Sequence, residues 1–276
     1  MCLIVFSWQP NTKRVLTLAS NRDEFYDRPS QKAHYWSESP HIFGGRDLKM
    51  NGTWLAVSRD MRFAAVTNNR SPNNQTLPRS RGEIPCSFLN SKLNAAQFAQ
   101  QIQKDEFAGF NALLFDGESL VYCHNQKNNF GEYEDAIDLP AGDYGLSNHL
   151  LDTPWPKVRR TKEALKNMST LQHKPDISQH LLNALQNNEI APDDQLPNTG
   201  VGLEFERILS PTFITSPKYG TRTSTVVIIE HETDVTTNTS RTSHPKPRIS
   251  EIYFHERQHQ TDKQAFEDKT YSITRA

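Results

Sequence analysis

The chain has 276 residues, with 31 Lys and Arg against 32 Asp and Glu, so its formal charge is −1. Near-neutrality removes the counterion-release argument for a nucleic-acid protein. With 14 Phe, 8 Tyr and 4 Trp, the chain is too aromatic for disorder despite a mean hydropathy of −0.71.

The N-terminus, Met1 to Trp8, is apolar but too short for a signal-peptide core and has no basic flank. No stretch approaches the ~20 apolar residues of a membrane span. Three cysteines, Cys2, Cys86 and Cys123, form no CxxC pair. Neither a disulfide framework nor a zinc knuckle is therefore expected, and a reducing, cytoplasmic compartment is.

Taken in chain order, Cys2 to Trp8 reads as a strand, residues 9–13 as a turn, and Arg14 to Ser20 as a second, alternating strand. The Pro/Gly-punctuated segment Asp27 to Gly52 reads as loop. A hairpin follows, with strands Thr53 to Ser58 and Arg62 to Thr67. After Pro85 the apolar residues Phe88, Leu89, Leu93, Ala95, Phe98, Ala99 and Ile102 recur at helical steps. Strands return at Phe110 to Phe115 and Leu120 to His124, with Asp116-Gly117-Glu118 as their turn. Amphipathic helices are expected over Lys157 to Met168 and Ile177 to Gln186, and Glu189 to Gly202 is loop. The β-branched run Thr223 to Glu230 is a strand, followed by polar strands and a charged tail, Gln258 to Ala276. No repeat or composition shift divides the chain. Hairpins, helices, then hairpins predict one α+β sandwich domain over residues 1–276.

Two features could carry chemistry. With the initiator Met trimmed, Cys2 would bear a free α-amine, and an amine of pKa ~7.7–8.0 can serve as base for the thiol of its own residue. The plainer reading is a buried cysteine opening an apolar strand. The second feature is Asn21-Arg22-Asp23-Glu24. On a strand Asn21 and Asp23 share one face, and Arg22 and Glu24 share the other. The plainer reading is a solvated strand end with an ion pair worth little. A tight hairpin of residues 2–20 would bring the tetrad to Cys2.

A set of motifs runs in order from the first residue to about Val227. It comprises Met1-Cys2-Leu3-Ile4, Asn21 to Pro29 (Asn-Arg-Asp-Glu-Phe-Tyr-Asp-Arg-Pro), Gly52-Thr53-Trp54-Leu55 and Thr67-Asn68. It continues with Arg81-Gly82-Glu83, Gly109-Phe110-Asn111, Tyr144-Gly145-Leu146-Ser147-Asn148 and Tyr219-Gly220-Thr221-Arg222-Thr223. With these motifs the chain resembles the transport-and-Golgi-organisation (NRDE) family. The resemblance implies a four-layer αββα sandwich of the N-terminal-nucleophile (Ntn) hydrolase type, similar to the cysteine branch with choloylglycine hydrolase and penicillin V acylase. It also implies haem trafficking, with acyl-coenzyme A binding as a further role of family members.

Carried over from the hydrolases, Cys2 matches the nucleophile and Asn68 an oxyanion-hole asparagine. Asn148 matches an asparagine near the N-terminal amine, and Arg222 an arginine close to the nucleophile, which would favour thiolate. The plainer reading of Asn68, Asn148 and Arg222 is turn and strand-end hydrogen bonding. The hydrolases hold an Arg and an Asp three residues apart, whereas Arg22 and Asp23 are adjacent here. Because side chains alternate, Asp23 is expected inward beside the Cys2 amine, with Asn21 on its face. Arg22 and Glu24 are expected to face away and brace Phe25 to Pro29.

Of ten histidines, His34, His41, His124 and His149 lie in or beside the motif region, and His173 and His180 near surface helices. With no CxxCH and no Cys-Pro, neither covalent nor regulatory haem is indicated, no metal site is expected, and haem would be a loosely held, transient ligand. The expected function is haem trafficking between cellular sites, with donor and acceptor proteins as partners. The alternative is an N-terminal-cysteine acylase cleaving a non-peptide amide or thioester through Cys2, and acyl-coenzyme A binding is the third reading.

Overall fold

A computed structural model describes residues 2–70, 77–232, 248–259 and 266–275, the side chain of Cys2 excepted. In chain order the strands are β1 (Cys2–Trp8), β2 (Arg14–Phe25), β3 (Ser30–Tyr35), β4 (Ile42–Asp47), β5 (Leu55–Ser58) and β6 (Phe63–Asn68). Helices α1 (Glu83–Asn90) and α2 (Ala95–Gln101) precede β7 (Phe110–Phe115), β8 (Leu120–His124), β9 (Ile137–Asp138) and β10 (Gly142–Leu146). Helices α3 (Pro156–Asn167), α4 (Lys174–Ala184) and α5 (Leu203–Leu209) follow, then β11 (Tyr219–His231), β12 (Ile249–His259) and β13 (Phe266–Thr274).

The strands form two antiparallel sheets, in the orders β10-β1-β2-β11-β12-β13 and β3-β4-β5-β6-β7-β8-β9. Period-two alternation gives every central strand two buried faces. Ile4, Phe6, Leu16, Leu18, Val227 and Ile229 meet Phe63, Leu113 and Phe115 of the other sheet. Leu3, Val5, Ala19, Val226 and Ile228 pack under α3 and α4, where Val158, Leu165, Ile177 and Leu181 cover them. Ala64, Val66, Ala112 and Leu114 pack under α1 and α2 through Phe88, Leu89 and Ala99. Three apolar interfaces between four layers make an αββα sandwich of the α+β class, as expected.

Four stretches differ from the sequence reading. The expected loop Asp27 to Gly52 holds β3 and β4; β3 is a polar edge strand, so burial writes no alternation into it. The helical stretch after Pro85 is two helices, split where Asn94 starts α2 with a capping box closed by Gln97. Helix α5 lies just past the expected loop. Within the expected charged tail, residues 266–274 are β13, again an edge strand whose outer positions are polar.

Polar contacts fasten α4 and β13 to the helix-facing side of β12. Ser178 Oγ lies 2.7 Å from His255 Nδ1, and Arg257 forks Asp268 through Nε and Nη2, each at 2.7 Å. His259 Nε2 lies 2.8 Å from Ser224 Oγ, with its ring edge against Phe213. Burial pushes the His259 imidazole down to about 4, and Arg257 acts in the same direction. Burial also lowers His255. A folded-state pKa below the unfolded ~6.5 means that only the unfolded chain takes protons as pH falls through this window. Stability is therefore lost from about pH 6.5 towards 4. The buried carboxyls Asp23 and Glu256 are raised by burial and act with the opposite sign, so the histidine part is isolated by difference. His259→Gln is expected to flatten the decline of unfolding free energy between pH 6.5 and 4.5 relative to the parent, by on the order of 2 kcal/mol, as read by denaturant unfolding at each pH.

Candidate functional site

The Asn-Arg-Asp-Glu tetrad does not sit at a frayed strand end. It forms the C-terminal part of β2, flanked on one side by β1 and on the other by β11. Cys2 is opposite Arg22, Asn21 is opposite Ser224, and Asp23 is opposite Thr221. A bulge between Thr221 and Thr223 leaves Arg222 as the extra residue. All of Asn21, Arg22 and Asp23 are buried.

Alternation sends Asn21 and Asp23 to the α3–α4 side, and Arg22 to the side between the sheets. There its guanidinium stacks 4.3 Å over the Trp54 ring. Asn21 and Asp23 thus share one buried face and Arg22 the other, as expected, but it is Arg22, rather than Asp23, that lies directly across from residue 2, because the ladder register rather than charge decides which of two adjacent residues faces which layer. The side chain of Cys2 lies outside the described residues.

Asn21 is fully used. Its Nδ2 donates to Leu185 O at 2.9 Å and to Thr212 O at 2.8 Å. Its Oδ1 accepts from Ser224 Oγ at 2.6 Å. Because the Ser224 proton is spent on Asn21, the 2.8 Å contact with His259 requires Nε2–H of the imidazole to donate to Ser224. Asn21 thus ties β2 to the end of α4 and to the segment before β11. Asp23 accepts from Thr221 Oγ1 at 2.6 Å, and its carbonyl accepts from Tyr219 Oη at 3.0 Å. Burial raises the Asp23 carboxyl, opposed by the charge of Lys157 and the Thr221 hydrogen bond.

The loop after the tetrad is braced by others. Glu24 accepts from Phe25 N and pairs with Arg28, whose Nε and Nη2 both meet Asp47 Oδ2, at 2.7 and 2.6 Å. Arg222 Nη1 donates to Phe25 O at 2.9 Å and Arg28 O at 3.1 Å. Its guanidinium serves loop carbonyls, a use the comparison with hydrolases did not suggest.

Arg22, Asp23, Glu24 and Asn68 line one cleft of about 100 Å³ with Arg28, Asp47, Thr53, Trp54 and the Ser80–Gly82 turn. The glycines make that closeness possible: a Cβ on Gly52 would come within 2.7 Å of the Gly82 backbone. Asn148 stands one hydrogen bond behind the cleft, with Nδ2 donating to Asn68 O at 3.0 Å, and its carbonyl accepts from Arg70 N at 2.8 Å. A buried polar seam continues from there. Thr67 Oγ1 donates to Ser147 O at 2.9 Å, and Asn111 Nδ2 donates to Thr67 Oγ1 and to His149 O, each at 3.1 Å. Tyr122 Oη donates to Asn111 Oδ1 at 2.8 Å. The seam sutures β6, β7 and β8 of one sheet to the turn after β10 of the other. Asn111 and Thr67 belong to the Gly-Phe-Asn and Thr-Asn motifs, whereas Tyr122 lies in no motif and carries no signal in the sequence.

The cleft offers arginine donors and an indole face beside carboxylates, a surface for a dipolar or anionic group. Five of the six histidines named above hold hydrogen-bond partners outside the cleft. His124 accepts from Gln126 N through Nδ1, which leaves Nε2–H to meet Glu134 at 3.2 Å. His34 lies against Lys32 O, His41 against Leu89 O, His149 against Thr153, and His180 against Ala164 O. Burial pushes the Cys86 thiol up to about 11 and the Cys123 thiol to about 12, so both are inert as thiolates.

Asn21→Asp tests the strut. Aspartate cannot donate to Leu185 O and Thr212 O, and it places a charge among buried carbonyls. Two orphaned acceptors at about 1–3 kcal/mol each make a loss of at least ~3 kcal/mol the expected result in urea unfolding. Ser224→Ala is expected to cost about 1–2 kcal/mol.

Residues 1–243 match the family described as Transport and Golgi organisation 2. The Transport and Golgi organization protein 2 homolog of Bos taurus is 34% identical over 262 residues, covering 86% of this chain and 91% of the relative. The Homo sapiens homolog is likewise 34% identical, over 259 residues with the same coverage. Among solved structures, the C2A mutant of the conjugated bile acid hydrolase from Clostridium perfringens aligns at TM-score 0.45 with 9% identity, covering 100% of this chain and 98% of that one. By the extent of the family match and the identity to these relatives, the chain belongs to the Transport and Golgi organisation 2 family.

Proposed function

We propose that the chain binds haem transiently at the mouth of this cleft and passes it between cellular sites. The observation that carries the reading is the mixed chemistry of the rim. Arg28 and Arg81 line the cleft with Asp47, whose turn carries the exposed Leu48 and Met50, and Arg222 holds the carbonyl of Phe25, which is 53% exposed. Guanidinium forks suit propionates, and the apolar side chains suit a macrocycle edge. A cleft of about 100 Å³ is far smaller than the 300–1,000 Å³ of pockets that enclose a ligand. Haem would therefore rest on the mouth and leave readily, as a carrier requires.

A second reading has its own observation. Residue 2 lies across from Arg22, and Asn68 lines the same cleft, so an acyl group reaching in would find a guanidinium and an amide near the backbone of Cys2. On that reading Cys2 would attack a non-peptide amide or thioester. Acyl-coenzyme A, an anion with an apolar tail, shares the chemistry of the rim as a bound ligand.

Titration with haemin separates these. A saturable Soret shift is expected, with Arg28→Ala plus Arg81→Ala weakening binding at least tenfold, the value of about 1.5 kcal/mol for one lost charged hydrogen bond. Cys2→Ala is expected to leave haemin binding unchanged. Absence of a Soret shift, with palmitoyl-coenzyme A binding in the same cleft, would replace haem by the acyl ligand. Hydrolysis of a thioester lost in Cys2→Ala, with Met1 absent by intact mass, would establish the acylase.

A further inference from the structure

Helix α5 has its polarity reversed. Phe205 is 60% exposed and Leu203 48%, with Val201 and Ile208 also exposed. Its buried face presents the carboxylate of Glu206, which is 4% exposed, together with Leu209. Glu206 Oε2 meets Arg70 Nη1 at 3.1 Å, and its Oε1 accepts from Thr199 N at 2.8 Å and Thr199 Oγ1 at 2.6 Å. Beneath α5 lies a small cavity lined by Arg70, Lys157, Trp155, Pro156, Pro197 and Glu206. Arg70 sits 5.5 Å over the Trp155 ring, and Lys157 Nζ donates to Leu209 O at 3.0 Å. Behind them the buried Asp23 carboxyl faces Lys157 and Arg70, so Arg70, set over an indole and closed from outside by Glu206, is the cation that a ligand carboxylate replacing Glu206 would meet.

The helix is held in a way that lets it leave. Gly200 and Gly202, on either side of Val201, have φ of +84° and +85°, and open space surrounds the position where a Cβ would stand. Both fall where glycine moves at little cost. Little apolar area fixes α5, since Leu209 alone of its four large hydrophobic residues is buried, and segments with few buried contacts open locally first. The Arg207–Asp193 fork that also holds it is exposed and adds little.

We propose that residues 199–210 are a hinged strap, in which Glu206 occupies the Arg70 guanidinium as a built-in stand-in for a ligand carboxylate. Swinging the strap on its glycines vacates a site for a carboxylate with a short apolar chain, bound between Arg70 and Trp155. This site is on the helix-facing side of β2, and Asp23, which lines the cleft, stands between the two. A tethered carboxylate competes at high effective concentration, so the parent chain binds such ligands weakly.

Octanoate, followed by Trp fluorescence and calorimetry, tests this together with hydrogen exchange on the whole chain. Glu206→Gln is expected to bind octanoate at least tenfold more tightly than the parent, and Arg70→Met in the Glu206→Gln background is expected to abolish the gain. In the parent, amides 199–210 are expected to exchange at least a hundredfold faster than those of β11. Equal octanoate affinity in parent and Glu206→Gln, or a gain that survives Arg70→Met, would overturn the site. Protection of amides 199–210 equal to that of β11 would overturn the strap, and needs no variant to fold.

Discussion

The ladder register of β2 between β1 and β11 governs this molecule. Because β2 is paired on both edges, four consecutive polar residues cannot turn together to one side. They are dealt alternately to two different layers. Asn21 and Asp23 go to the helices, and Arg22 goes to the space between the sheets, where Trp54 receives it. Burying such groups is tolerable only with partners in place. Ser224, Thr221, the carbonyls of Leu185 and Thr212, and the indole of Trp54 are therefore as much part of the motif as the tetrad. The motif is a joint in which three layers are pinned to one strand.

That joint explains why distant motifs accompany the tetrad. Tyr219 and Thr221 serve Asp23, Arg222 serves the loop after Glu24, and Asn148 serves the backbone of Asn68. Gly52 and Gly82 allow two backbones to touch at the cleft wall. A motif list from the N-terminus to β11 thus folds into one contact network around a cleft of modest size. Family membership follows from the length of chain these motifs span.

Much of this was legible in the residues. Apolar runs such as Leu3 to Phe6 and Val226 to Ile229 are dictated by two buried faces, and they placed the central strands. The polar edge strands β3 and β13 carried no such signal, since an edge buries too little to impose alternation, and both were misread. Alternation also showed that Asn21 and Asp23 share a face. It could not show which face, because the direction depends on register with β1 and β11, which pairs residues about 200 positions apart. Likewise Asn148 was legible as a motif residue, but its bond to Asn68 O depends on a seam between two sheets. Helix α5 was missed because its amphipathic pattern is reversed, with the carboxylate inside.

The bulge at Arg222 sorts charge. In an unbroken ladder Arg222 would oppose Asp23, and a guanidinium would be buried beside that carboxylate under the helices. One extra residue substitutes the hydroxyl of Thr221 at that point and releases the cation to the surface loop. Asp23 keeps a hydroxyl donor at close range, and burial raises its carboxyl against the charges of Lys157 and Arg70. A one-residue deletion in this strand would do more than shorten it: it would crowd a further cation against that carboxyl and take from the carbonyls of Phe25 and Arg28 the donor that ties them to β11.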